Sequence, residues 1–188
     1  LRFLADRYPD TAWSTVVDDL GMVRTLSEVF TDAESELGIY LDLDCGMHRT
    51  GIEPGAEARA ICEAVVKARG LTFCGLHAYD GHNHEADLER RSAQCETDFA
   101  PVLKFRKELE VAGMAVPNLV ASGTPTFPIH ARHDDRQCSP GTTVLWDFGY
   151  GDRFEDLPFE NGAVLLTRVI SKPGPNRLCL DLGHKAVA

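Results

Sequence analysis

Arg49 stands just beyond an apolar run, Gly38 to Leu43, and ahead of a Thr50-Gly51 turn. Arginine keeps its charge and offers a planar fork of donors. Placed there, it could face an anion, or a ring nitrogen that must stay unprotonated. An ion pair with Asp42 or Asp44 is the plainer alternative. Tyr79 ends the next apolar run, beside Asp80-Gly81. A phenol there can move a proton or hydrogen-bond a cofactor, or can simply be a half-buried core tyrosine. His77, His82 and His84 lie close together. A His-x-His pair in a loop can bind zinc, although most such pairs are only polar loop residues. Ser122-Gly-Thr-Pro-Thr126 follows a third run. Its small residues let backbone N–H groups approach a phosphate, and its hydroxyls add donors. No Gly-Lys-Ser/Thr is present, so it is not a Walker loop, and an ordinary turn is the alternative. Cys138-Ser-Pro-Gly-Thr142 reads as a turn. Tyr150 follows a further apolar stretch, and His184-Lys185 read as surface or inter-domain residues.

The elements that must position these residues alternate. Strands are expected at Trp13–Val17, Gly38–Leu43, Leu71–Tyr79 and Leu119–Ala121. A helix tail is expected over Arg2–Tyr8, stopped before Pro9. Asp18-Asp19 can cap a helix whose Leu20, Val23, Leu26, Val29 and Phe30 share one face. A second helix is expected over Ala56–Ala68, ended by Gly70, and a third pattern over Glu85–Val111. Pro101 should kink that third helix or split it. Strict alternation of strand and helix signals a parallel sheet with crossover helices, and ligands bind at the carboxyl ends of its strands.

After Thr126 the pattern changes. Val144–Phe148, Ala163–Ser171 and Arg177–Leu182 read as strands of an antiparallel β region, with segment 151–162 as an exposed loop. A boundary near Gln137 divides residues 1–136 from 137–188. Four strand–helix units cannot close a barrel of eight, and Leu1 and Val187-Ala188 are abrupt ends. The chain is then either a small open sheet or part of a larger barrel, and the abrupt ends favour the second.

The formal net charge of −10 argues against a nucleic-acid surface. Six scattered cysteines without Cys-x-x-Cys spacing read as reduced thiols of a cytoplasmic protein. No apolar run is long enough to span a membrane, and no signal peptide is visible.

Taken together, five segments resemble the fold-type III pyridoxal-phosphate enzymes, in particular the D-threonine aldolase and D-serine dehydratase group related to the alanine racemase barrel. They are Asp44-Cys-Gly-Met-His-Arg-Thr-Gly51, Gly75-Leu-His-Ala-Tyr-Asp-Gly81, Ser122-Gly-Thr-Pro-Thr126, Ser139-Pro-Gly-Thr-Thr-Val-Leu-Trp-Asp147 and Leu178-Cys-Leu-Asp-Leu-Gly-His-Lys185. The resemblance covers nearly all of the chain, in order. It implies an α/β fold: part of a (β/α)8 TIM barrel of the alanine racemase N-terminal type, then the start of an antiparallel β domain.

The resemblance also implies roles. Arg49 would face the pyridine nitrogen of pyridoxal phosphate and keep it unprotonated. Tyr79 would line the reacting end of the site, with His82 or His84 as the histidine that follows it. Ser122, Gly123, Thr124 and Thr126 would hold the phosphate, and Tyr150 would also reach it. Pro125 has no N–H and removes one backbone donor. No residue here matches the family's cofactor lysine, which lies upstream, and Lys67, Lys104 and Lys107 sit in helical patterns. The ligands of a divalent metal, zinc or manganese, would lie beyond Ala188. The implied activity is a lyase acting on a small D-β-hydroxy amino acid, foremost retro-aldol cleavage of D-threonine to glycine and acetaldehyde. D-serine dehydration and racemisation are the nearest alternatives. A non-catalytic pyridoxal-phosphate carrier and a metal-dependent hydrolase using His77, His82 and His84 are the more distant ones. The family also implies a possible homodimer, and an isolated piece of this size would be catalytically silent.

Overall fold

A computed structural model describes residues 1–33 and 36–183; His184-Lys185 lie outside the described residues. The elements run α1 (Arg2–Arg7), β1 (Ser14–Val17), α2 (Leu20–Phe30), β2 (Leu37–Leu43), α3 (Ala56–Lys67), β3 (Leu71–Ala78), α4 (Leu88–Val111), β4 (Asn118–Ala121), α5 (Phe127–His130), β5 (Gln137–Cys138), α6 (Phe148–Arg153), β6 (Val169–Gly174) and β7 (Arg177–Leu180). The first five strands form a parallel sheet in the order β1-β2-β3-β4-β5. Consecutive order with parallel pairing is the arrangement of a β/α barrel, not of a doubly wound sheet, whose order reverses. β6 and β7 pair antiparallel in a separate ribbon.

Burial explains which face carries helices. Leu37, Ile39, Leu41 and Leu43 of β2 are all buried. They share one core with Leu76 and Ala78 of β3, Leu119 and Ala121 of β4, and Ile61, Val65, Phe99, Val102 and Phe105 of α3 and α4. The alternate residues point the other way. On that face Asp42 meets His77 across the β2–β3 ladder, at 2.6 Å between Oδ1 and Nδ1. Gly75, at φ +136°, sits where a β-carbon would run into the Asn118 carbonyl. Only a glycine lets β4 approach β3 there.

Four expectations are narrowed or corrected. Of the two outcomes expected at Pro101, a kink or a split, the split does not occur, since α4 runs unbroken from Leu88 to Val111. Proline removes the bond to the Thr97 carbonyl, but both residues are exposed, so water can take its place. Val144–Phe148 is not a strand. Thr142–Val144 form a turn of 3-10 helix, and Asp147 then caps α6, accepting from the Tyr150 N–H at 2.9 Å. Of Ala163–Ser171, strand geometry begins only at Val169. Segment 151–162 is not a plain exposed loop. Phe154 and Leu157 are buried there with Trp146 in a second small core.

Arg91 of α4 joins that second core to the sheet layer. It is fully buried. It donates to the carbonyls of Glu85 and Ala86 at 2.9 Å, pairs with Asp156, and lies 5.0 Å from the centre of the Phe154 ring. Gln137-Cys138 extends the parallel sheet past position 136. Among the described residues no helix is long and apolar enough to cross a membrane.

Candidate functional site

β2 ends in a tight turn built around Asp44. Its carboxylate accepts the N–H groups of Gly46 (2.9 Å) and His48 (3.0 Å), and its other oxygen lies 2.8 Å from His48 Nδ1. Burial pushes this carboxyl up, but the hydrogen bonds outweigh it and hold it below the usual carboxylate range. His48 takes a positive φ of 52° to close the turn. Arg49 follows and is exposed. Neither acidic neighbour pairs with it, since Asp42 is engaged by His77 and Asp44 by His48. Its guanidinium instead lies 5.1 Å from the centre of the Tyr79 ring, within cation–π range.

Tyr79 is half-buried just beyond β3. Its ring lies over Gly81, where any β-carbon would overlap it, and close to Gly123, where a β-carbon would come within 3.4 Å. Tyr150 joins this cluster. Burial and the neighbouring Tyr79 phenol push its own phenol up. The structure thus brings Arg49, Tyr79, Gly123 and Tyr150 together from four different segments.

The loop 122–126 carries the signs of a ligand cradle. Ser122 is fully buried at a positive φ of 88°, and its hydroxyl has no partner among the described residues. A strained non-glycine residue with an orphaned hydroxyl points to a missing acceptor or donor. The Thr124 hydroxyl oxygen accepts the Thr142 N–H at 3.1 Å, which leaves its own hydrogen free to donate. Gly123 and Thr126 face inward instead. The Gly123 N–H and the Thr126 hydroxyl both donate to Asp80 Oδ1 at 2.6 Å. Pro125 is buried.

Asp80 itself was not legible as a functional residue. It is 1 % exposed and also accepts from His130 Nε2 at 2.9 Å and from the Cys95 thiol at 3.6 Å. Burial pushes its carboxyl up, but the bonds from His130, Thr126 and Gly123 prevail and hold it below the usual range. An acidic residue beside a glycine at a strand end was the available signal. Its partners lie too far along the chain for spacing to reveal them.

His82 and His84 part company. His82 lies 2.8 Å, through Nε2, from Asp98 of α4, and its ring fills the space over Gly46. Its Nδ1 is buried without a partner among the described residues. His84 is exposed in the following loop. His77 is held by Asp42, so the three histidines do not converge on one metal. Asp80, Cys95 and His130 do form a buried group whose ligand atoms lie within 4.8 Å of one another. Lys67, Lys104, Lys107 and Lys172 are all exposed, on α3, α4 and β6.

The profile of the alanine racemase N-terminal domain matches residues 4–146. The chain belongs to that family. The match spans the whole parallel sheet and ends at Trp146, so it contains every strand end of that sheet. Within the curated relatives, the chain is 29% identical over 191 residues to a 3-hydroxy-D-aspartate aldolase of Paracoccus denitrificans (strain Pd 1222), covering 96% of the chain and 49% of the relative. It is 26% identical over 177 residues to a D-threonine aldolase of an Arthrobacter species, covering 92% and 47%. Among solved structures, D-threonine aldolase from Filomicrobium marinum superposes with a TM-score of 0.86 at 27% identity, over 98% of this chain and 51% of that one. The chain spans about half the length of the curated relatives it matches. The alanine racemase family implies pyridoxal phosphate, and the residues present fit its two ends. Ser122 and Thr124 offer hydroxyls where a phosphate could lie, and Arg49 and Tyr79 offer a charged and an aromatic surface beside them.

Proposed function

We propose that the whole protein carrying this chain is a pyridoxal-phosphate-dependent lyase acting on D-β-hydroxy amino acids, with D-threonine cleavage to glycine and acetaldehyde as its leading reaction. The convergence of Arg49, Tyr79 and the orphaned Ser122 hydroxyl at the strand ends carries this reading. The printed activities of the aldolase relatives supply the substrate class.

Pyridoxal phosphate, when bound, supplies an electron sink for the pair left on the substrate's α-carbon. The chain's own residues bind and orient. Ser122 and Thr124 would hold the phosphate by hydroxyl donors, with Gly123 and Thr126 shaping the loop behind them. Tyr150 would close the phosphate end beside Tyr79. Arg49 offers only donors, so a ring nitrogen facing it must act as an acceptor and stay unprotonated. Tyr79, stacked under that guanidinium, would hold the reacting end and can pass a proton through its hydroxyl. His82 is the proton-moving candidate of the pair His82/His84. Asp98 also accepts from Gln94 at 2.7 Å and fixes the His82 ring, with Nδ1 left as the lone-pair nitrogen. A divalent metal that polarises the β-hydroxyl, zinc or manganese, would take ligands from outside this chain. All six cysteines are free thiols, which fits a cytoplasmic protein.

The test is a product analysis. The whole protein, loaded with cofactor, is given D-threonine, 3-hydroxy-D-aspartate and D-serine. Glycine with the matching aldehyde supports the aldolase. Pyruvate and ammonia from D-serine would move the assignment to a dehydratase. Turnover of none of the three would sink the lyase reading.

A further inference from the structure

Beneath the loop 122–126 lies a buried chain of hydrogen bonds that no role above has absorbed. Arg136 Nη1 sits 2.9 Å from His130 Nδ1. A guanidinium has donors only, so Nδ1 must accept, and the ring's one hydrogen is placed on Nε2. That hydrogen points at Asp80 Oδ2, 2.9 Å away. Asp80 Oδ1 in turn receives the Gly123 N–H and the Thr126 hydroxyl. Phe99 packs edge-on against the His130 ring at 4.6 Å, and Arg136 lies 4.9 Å over the Phe99 ring, so one aromatic ring braces both the imidazole and its arginine partner.

We infer that Arg136, His130 and Asp80 form a metal-free positioning relay that sets the phosphate loop, with Arg136 fixing the imidazole tautomer, His130 orienting the Asp80 carboxylate, and Asp80 holding Gly123 and Thr126 so that Ser122 keeps its left-handed turn. The inference rests on the cofactor reading above. None of the three is a catalytic residue, since each acts through the loop.

The same atoms could be taken for a zinc site with Cys95 as third ligand, and three observations oppose that. A metal on Nε2, with Nδ1 already accepting from Arg136, would require the imidazole to lose both its hydrogens. Burial and the adjacent Asp80 push the Cys95 thiol up to about 12, so a metal would first have to displace a firmly held proton. Both Asp80 oxygens already receive donors, from the main chain, a hydroxyl, the imidazole and the thiol.

The experiment compares pyridoxal phosphate with pyridoxal, which lacks the phosphate, by absorbance titration of the whole protein. Wild type, His130→Phe, Arg136→Met and Cys95→Ser are used, each with an unliganded melting curve. His130→Phe and Arg136→Met are expected to weaken pyridoxal phosphate about tenfold and to leave pyridoxal within about twofold, the loss expected for one hydrogen bond to a charged group. Cys95→Ser should change neither. Arg136→Met keeps a long side chain over Phe99 and preserves the test if His130→Phe does not fold. Equal loss for both ligands, or no loss, would overturn the relay. So would zinc bound in equal amount to the chain and lost in Cys95→Ser. Wild-type protein that binds neither ligand would defeat the cofactor reading, and the relay with it. Wild-type binding with unaffected variants would defeat the relay alone.

Discussion

The guanidinium of Arg49 lies over the ring of Tyr79, 5.1 Å from its centre, although the two residues come from different strand ends. Two carboxylates sit closer to Arg49 in sequence, and each is held by a histidine instead. The arginine is therefore left with an aromatic face beneath it and open space above. Arg49→Leu should weaken pyridoxal phosphate about tenfold while leaving the melting temperature nearly unchanged, because the side chain is exposed and an exposed cation–π contact is worth only about 0.5–1 kcal/mol. Absorbance titration and a thermal melt read the two quantities separately.

Gly81→Ala tests the cradle from the other side. The added methyl group overlaps the Tyr79 ring, which must leave its present position beside Arg49. Cofactor affinity and lyase activity should both fall, while the denaturation midpoint shifts little, since Tyr79 is only half-buried. A variant with unchanged affinity would show that the ring position does not matter.

Arg91→Ala should destabilise the fold by about 3 kcal/mol, because it empties a fully buried site and leaves the half-buried Asp156 without its partner. Arg91→Met should recover part of that loss by keeping the packing against Phe154. Urea midpoints of the two variants measure the difference.

Acid should loosen the sheet through Asp80. Its folded carboxyl titrates below its unfolded value of about 3.9. It therefore contributes stability that is fully present above about pH 4 and is lost as the pH falls through the lower folded value. Asp80→Asn should remove this share of the acid dependence below pH 4. It should also cost stability at neutral pH, where an amide N–H₂ would confront the donors that now converge there. Urea midpoints recorded at neutral pH and at successive acid steps would show both effects.

The first four strands were readable because each carries a short apolar run closed by glycine or polar residues, and the helices between them because their stripes repeat at three and four; β5, only Gln137-Cys138, carries no such run and was not visible. The family segments placed Arg49, Tyr79 and Ser122 at strand ends, where the structure has them. Other features escaped for identifiable reasons. Val144–Phe148 alternates like a strand, but Trp146 takes a positive φ of 50° and Asp147 caps the helix that follows. The Asp80 network joins residues 43 to 50 positions apart, and Arg91 meets Asp156 across 65. Periodicity sees neighbours at two, three or four residues. It cannot see a buried polar group whose partners are supplied by the next turn of the fold.

The most direct measurement is a crystal structure of the whole protein grown with pyridoxal phosphate. The account predicts a phosphate within hydrogen-bond reach of Ser122 Oγ and Thr124 Oγ1, with the pyridine nitrogen against Arg49 and Tyr79 beside the reacting end. A phosphate bound elsewhere, or a ring turned away from Arg49, would contradict it.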